Sequence, residues 1–575
     1  MNVLSKFSHL DNLQDDIILI YNYITGRKDV GEKNLLTCEG GPMFKIILFF
    51  IFIITLSFVF AQSDNWIYRY NGTGNGNDIA YSITYGADNN IYSAGCSFDT
   101  STLMDFTVVG LTPSGNELWV YTYNGPVDSA DVAYAITFGL DGNIYSAGYS
   151  RGNGTGNDFV VISLTTAGNE RWVYRYNGPG NSDDIANAII FGADGNIYAA
   201  GNSRGMGTSR DLTVICLDTS GVAKWVFRYD SSATYPQPEN ANAIVYGSDD
   251  NLYIAGYTSD MNSFDKYAVM SVDTSGNKRW LRQHGYDDGH DEAYSIAYGL
   301  DGNIYSAGGV SPLSYFFEES YNSVGATRWS YMHLSLGSGS AHSIIYGLDG
   351  NVYAAGDCGN YPQMDFFVVS RTPAGDSNWL YKYNGTGNSG DRANSIVYGF
   401  DGNIHAAGYL NVSGAGEDFA VISLSTEGMA RRIYTYNGPG NGNDHANAIV
   451  SGSDSRLYSA GYIFDSTTNQ DFTVIGLNPI IGIQENPKIF IPKKAETRIY
   501  PNPFREKVNI KCHAEEFQIK IYNVLGQVIW ESKKPGTIII WDGRDDQGRS
   551  VPAGVYIITL KTPDCLKSQK IVLLK

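Results

Sequence analysis

One phrase of eight residues, Asp-Gly-Asn-Ile-Tyr-(Ser/Ala)-Ala-Gly, recurs along the chain and limits what it can fold into more than any other feature. Close copies run from Asp141 to Gly148, Asp194 to Gly201 and Asp301 to Gly308, with variants at Asp88, Asp250, Asp349, Asp401 and Ser455. The closing glycines, Gly95, Gly148, Gly201, Gly256, Gly308, Gly356, Gly408 and Gly461, stand 48 to 55 residues apart. Eight units at a regular spacing mean a repeat architecture, in which each unit buries its apolar surface on its neighbours.

Within one unit the hydrophobic period is two. Ala133 to Phe138 leads to a turn at Gly139 to Asn143, then Ile144 to Gly148, a Gly/Asn loop, Asp158 to Leu164, a turn at Ala167 to Asn169, and Arg171 to Tyr176. Four short strands joined by turns make one antiparallel sheet. Tight hairpins require positive φ, which accounts for Gly142, Gly195, Gly302 and Gly350. The 65 Gly and 42 Tyr among 575 residues therefore belong to turns and strands, and an all-α fold is excluded.

Both faces of a strand such as Phe159-Val-Val-Ile162 are apolar, so each sheet needs cover on both sides. Radial stacking of four-stranded sheets provides it, which predicts an all-β chain with a β-propeller. The last unit stops after Asp471 to Leu477 without a Trp strand, while the chain offers an unpaired Trp66 to Tyr70. The two ends are expected to complete one blade. Trp66, Trp119, Trp172, Trp225, Trp280, Trp329 and Trp379 mark seven outer strands and Ile433-Tyr434 substitutes in the eighth. An eight-bladed β-propeller is the expectation, with a seven-bladed ring as the alternative if the short 48-residue unit ending at Gly356 is extruded.

The flanks have a different texture. Ile46 to Phe60 is an apolar run between Met43-Phe44-Lys45 and Ala61-Gln62. This is the plan of a secretory signal over 43–61, and a run of about 15 residues rises only about 22 Å as a helix, short of a ~30 Å hydrocarbon core. Residues 1–42 then read as an upstream extension, and no transmembrane segment is expected in the mature chain. The propeller is placed at 62–479, a linker at 480–497 and a separate module at 498–575. Of the net charge of −19, residues 62–493 hold −23 while the C-terminal segment from Lys494 is basic at +5. Such acidity excludes a general nucleic-acid binder, which needs a basic face for phosphates. Six cysteines are too few for a disulfide scaffold; Cys96, Cys216 and Cys358 sit in separate units, and Cys512 and Cys565 share the C-terminal module.

That module reads as strands with Gly/Asp turns: Ile499-Tyr-Pro-Asn-Pro-Phe504, Ile519 to Gln527, Trp541-Asp-Gly-Arg-Asp545, Val551 to Tyr556 and Lys570 to Lys575. The period predicts a small β-sandwich.

No catalytic pattern emerges. His284, His290, His333, His342, His405, His445 and His513 are scattered, the sequence holds no His-Glu-x-x-His and no Cys pair at metal spacing, and no Gly-x-Ser-x-Gly elbow lies on a strand-to-helix turn. The repeated candidate is acidic. Asp78, Asp131, Asp184, Asp291, Asp391 and Asp444 each precede a small-residue strand, Glu239 lies close to the equivalent place, and Ser340 breaks the series. If that strand is innermost, the carboxylates ring one mouth of the channel, an arrangement suited to Ca²⁺ or a cationic ligand. The competing reading is that each Asp caps its own turn. The Gly/Asn loops Asn71 to Asn77, Asn177 to Ser182, Asn384 to Gly390 and Asn437 to Asn443 lie at the same end and offer amides to a glycan.

The blocks "DGNIYSAG", "DFVVISL" and "RWVYRYNGPG" resemble the bacterial SBBP β-propeller repeat family over Trp66 to Leu477, a resemblance that implies an exported protein and assigns no chemistry. The C-terminal motifs resemble the sorting domain of the type IX secretion system, with some likeness to the immunoglobulin-like domain of the flagellar hook-capping protein. That resemblance implies type IX secretion machinery as a partner, passage through the outer membrane, removal of the module and attachment to surface polysaccharide. The expected function is a cell-surface or secreted binding and adhesion module for a glycan or surface protein. The alternative is a secreted polysaccharide hydrolase or lyase with its site in the acidic mouth.

Overall fold

Each repeat folds as its two-residue period requires. The computed structural model describes residues 65–479 and 498–574, apart from 232–237, 260–263, 286–288, 313, 501–503, 512–517, 524–527, 533–537 and 562–565. The extension 1–42, the signal 43–61, the linker 480–497, Cys512 and Cys565 lie outside the described residues. No helix among them is long and apolar enough to cross a membrane.

In the second repeat Asp131–Phe138, Asn143–Gly152, Gly156–Thr165 and Glu170–Tyr176 form one antiparallel sheet in sequential order. Among the described residues seven sheets of this kind follow one another. An eighth combines His445–Ser451, Leu457–Asp465 and Asn469–Leu477 with Trp66–Tyr70, whose Trp66 lies opposite Gly476 and Tyr70 opposite Phe472. The first strands of successive sheets pack on one another in a closed cycle, from Ile79–Tyr85 through each repeat to His445–Ser451 and back. Asn447 Nδ2 donates to Ala80 O at 2.9 Å across that last contact. The molecule is all-β, and its stacked four-stranded sheets match a β-propeller.

The two-sided apolar strands are used as their sequence demands. Val160 and Ile162 join a core with Tyr92, Val108 and Ile144, whereas Phe159 and Val161 join the next core with Ile189, Ile197 and Ile215. All four are fully buried, and each such side chain contributes about 1.5–3 kcal/mol.

The signature residues have separable tasks. The Tyr145 hydroxyl donates to Asp141 Oδ2 at 2.6 Å, and Asp194–Tyr198, Asp301–Tyr305 and Asp454–Tyr458 repeat that bond at the same length. His405 takes the place of the Tyr and keeps the contact, 2.9 Å from Asp401. The closing Gly148 faces the Val132 carbonyl, which a Cβ would approach to 1.9 Å, so no side chain fits. Each tryptophan reaches into the neighbouring sheet: Trp119 Nε1 donates to Thr166 O at 2.9 Å and Trp172 Nε1 to Thr219 O at 3.0 Å, while Trp66 Nε1 reaches Pro113 O at 3.0 Å. In the repeat without Trp the place falls to Arg432, opposite Ser423, and not to the expected Ile433-Tyr434; its Nη1 donates to Asn478 O at 2.8 Å.

The C-terminal module, taken by itself, has two antiparallel sheets. One holds Arg498–Tyr500, Val508–Lys511 and Ile538–Trp541; the other orders Val528–Ser532, Gln518–Tyr522, Gly554–Lys561 and Leu566–Leu573 side by side. Phe504, Val508, Ile510, Ile519, Ile521, Trp541, Tyr556, Ile558 and Ile571 form its core.

Candidate functional site

An antiparallel four-stranded sheet sends its first-to-second and third-to-fourth turns to one end. Its second-to-third hairpin, and the loop entering the next sheet, go to the other. The six aspartates stand at this second end, where each begins or immediately precedes the first strand of its sheet.

They do not form the expected ring of exposed carboxylates. Asp78, Asp131, Asp184, Asp291, Asp391 and Asp444 are all 0% exposed. Asp184 accepts the N–H of Gly178, six residues back, at 2.6 Å and that of Arg204, twenty residues on, at 2.9 Å. Asp131 takes Gly125 and Arg151 at 2.6 and 2.9 Å, Asp391 takes Gly385 and Asn411 at 2.6 Å each, and Asp444 takes Gly438 and Phe464 at 2.6 Å each. Asp78 takes Gly72 at 3.0 Å and Phe98 at 2.6 Å, and Asp291 accepts from the Ser311 N–H. The backbone N–H groups of Asp78, Asp391 and Asp444 bond carbonyls of the preceding sheet, Gln470, Met364 and Glu417. Such a residue thus ties the incoming loop to the hairpin of its own sheet through its side chain and to the sheet before it through its backbone N–H. Removing a buried acceptor of this kind leaves unsatisfied amides at about 1–3 kcal/mol each.

Burial sets the electrostatics. It lifts Asp78 and Asp391 to about 6 against the pull of their amide donors, and it raises Asp131, Asp184 and Asp444 in the same direction. Ser340, where the series breaks, has its N–H on Asp357 Oδ1 at 3.2 Å instead.

A second set of carboxylates was not singled out from the sequence. Asp105, Asp158, Asp211, Asp365, Asp418 and Asp471 lie at one register of the third strands, all buried and each beside the next junction. The signal was the Asp that opens the block "DFVVISL" and five of its copies, a place held by Lys266 and Tyr315 in the fourth and fifth sheets. Cations of the fourth strands pair with several of them: Arg175 with Asp158 at 2.7 Å, and Arg69, Arg228 and Lys382 with Asp471, Asp211 and Asp365. Asp418 lacks such a partner in this set, and burial, with a smaller contribution from Asp444, raises it to about 6.

Outside these buried anchors the loops present amides. Asn71, Asn177, Asn384 and Asn437 each donate to the Asn four residues on at 2.7–2.8 Å, and Asn124 donates to Asp128 at 3.0 Å; all but the half-buried Asn71 are exposed. Of the cysteines, Cys96, Cys216 and Cys358 are free and buried, and burial holds His405 below its ordinary range.

The C-terminal module matches the secretion system C-terminal sorting domain over residues 498–574. This marks the chain as a secreted protein of the type IX route. No curated protein matches the chain. Among solved structures it is similar to PorZ, described as an essential bacterial surface component of the type-IX secretion system of Porphyromonas gingivalis, at 13% identity over 87% of this chain and 74% of that one, with a TM-score of 0.33. A protein of unknown function from Dyadobacter fermentans has 10% identity over 72% and 98% of the two chains and a TM-score of 0.37. The polysaccharide lyase Uly1 has 10% identity over 60% and 89% and a TM-score of 0.37.

Proposed function

We propose that this chain is an exported eight-bladed β-propeller of the SBBP type that binds a glycan or surface protein without catalysis. Residues 43–61 serve as its signal peptide, and residues 498–575 form an immunoglobulin-like sorting module that engages the type IX machinery and attaches the protein to the cell surface. The closed cycle of eight four-stranded sheets supports the blade count.

One observation carries the binding reading: the six aspartates are consumed inside the molecule. Paired-carboxylate hydrolysis requires two accessible acids about 5–9.5 Å apart. These six are 0% exposed, and the loops they brace instead expose a repeated array of Asn amides around one end. Planar amides that both donate and accept suit sugar hydroxyls. The aspartates thus act on the ligand through the loops they hold.

The test is the secreted full-length protein on a glycan array, with mass-spectrometric analysis of the soluble fraction. Retention on a subset of glycans without released fragments is expected. Accumulation of shortened or unsaturated products would refute the non-catalytic reading.

A further inference from the structure

The junction between the third and fourth sheets departs from the others in three linked ways. Five loops begin with Asn and reach Asp seven residues later: Asn71 to Asp78, Asn124 to Asp131, Asn177 to Asp184, Asn384 to Asp391 and Asn437 to Asp444. Here the loop begins with an acid, Asp230, ends with the longer acid Glu239, and has two more residues between its ends than those five. Asp211 of the third strand adds its carboxylate, and one oxygen from each of Asp211, Asp230 and Glu239 lies within 4.8 Å of the others. No other group of three metal-ligating side chains comes so close among the described residues.

The change from Asp to Glu also frees an oxygen. Asp184 places one oxygen on Gly178 and the other on Arg204. Glu239 spends Oε1 on the Ser231 N–H at 3.2 Å and on the Ser231 hydroxyl, and its Oε2 is buried with no hydrogen-bond partner. Ser259, which stands where Arg204 stands for Asp184, directs its hydroxyl to Pro238 O and to Asp265 Oδ1, at 2.7 and 2.9 Å. Glu239 is 0% exposed and Asp211 4% exposed; Asp211 gives Oδ2 to Thr208 and Arg228, and its Oδ1, like that of Asp105, Asp158, Asp418 and Asp471, is buried without a partner, so the spare Glu239 oxygen is what sets this junction apart. A buried carboxylate oxygen with nothing to accept is costly unless a cation meets it.

From these observations we infer that Asp211, Asp230 and Glu239 bind a divalent cation of the hard, oxygen-seeking class, namely calcium. Calcium bonds oxygen at about 2.3–2.6 Å, so two ligands on opposite sides of one ion lie up to about 5.2 Å apart, which accommodates the observed cluster. The set contains oxygen donors alone, with no thiolate or imidazole to favour zinc or copper. Arg228 offsets one of the three negative charges, and a divalent ion balances the remaining two. Asp230 is the entry side, since it reaches solvent while the other two are enclosed. The ion joins the third strand of one sheet to both ends of the loop that enters the next. It stands apart from the six inward-facing aspartates, five of which have both oxygens committed to amides, and it does not depend on what the loop face binds.

The experiment is calorimetric titration of the chelator-treated full-length protein with calcium chloride, alongside magnesium chloride. One calcium site is expected, with magnesium at least tenfold weaker. Asp230→Asn restores the residue found at this place in five sister loops, so the loop accepts it, and it should weaken calcium at least tenfold. Glu239→Gln should do the same, whereas Asp128→Asn in another loop should leave the affinity unchanged. Calcium should also raise the thermal midpoint of the wild type and not that of Asp230→Asn. Absence of calcium binding to the wild type, or equal affinity in wild type and Asp230→Asn, overturns the site. Magnesium binding as tight as calcium overturns the choice of ion.

Discussion

Replacing Gly168 by Ala tests the contact by which one sheet grips the next. Gly168 has φ of +79° in the turn of the second sheet, and a Cβ there would meet the Trp119 ring at 2.5 Å. The ring is held in place, since Trp119 Nε1 donates to Thr166 O in the same turn at 2.9 Å. Two costs add: about 1–2 kcal/mol for a left-handed non-glycine residue, and about 1–3 kcal/mol for overpacking against a ring that cannot withdraw. Gly142 separates them, because its φ is +77° but nothing lies within 4 Å of its would-be Cβ. Gly142→Ala should therefore lose about 1–2 kcal/mol and Gly168→Ala about 2–5 kcal/mol. In a Trp119→Ala background the cost of Gly168→Ala should fall to that of Gly142→Ala, a coupling of about 1–3 kcal/mol. Urea unfolding of the four variants, followed by far-ultraviolet circular dichroism, measures each difference. Equal costs for the two glycine substitutions, or an undiminished cost for Gly168→Ala without Trp119, would refute the clamp.

Asp184→Ala should cost about 2–6 kcal/mol by stranding two buried amides, and hydrogen exchange should accelerate at Gly178 and Arg204 ahead of the sheet interior. Asp78 and Asp391 have folded values of about 6 against 3.8 for the free group, so the native state binds more protons over that interval and stability falls as pH rises from about 4 through about 6. The fall is on the order of 2–3 kcal/mol per group, opposed by the buried His405, which loses stability as pH drops below 6.5. Thermal midpoints between pH 4.5 and 7.5 should thus change less with pH in Asp391→Asn than in the wild type. Deleting residues 498–575 should leave the propeller inside the outer membrane, as cell fractionation and immunoblotting would register.

The repeat and its four-strand unit were legible because a hairpin is a local object. Asp141, Gly142 and Tyr145 lie within one turn and its following strand, and their spacing alone specifies it. The partner of Trp66–Tyr70 was also readable, since an unpaired strand at one end and a missing one at the other leave few choices. The aspartate series was visible too, but its orientation was not. Asp184 bonds residues six before and twenty after it, and that pairing exists only once the loop and the hairpin have folded onto each other. The same holds for the tryptophans, whose acceptors lie about one repeat away.

By itself, then, the sequence determined the period, the strands, the turns and the sorting module, all of which depend on residues near one another along the chain. Only the tertiary structure decided which way the carboxylates face. The direction of a short side chain is set by donors brought from other parts of the fold, so Asp78, Asp131, Asp184, Asp291, Asp391 and Asp444 turn inward to amides, while Glu239, one methylene longer, keeps an oxygen to spare beside Asp211 and Asp230.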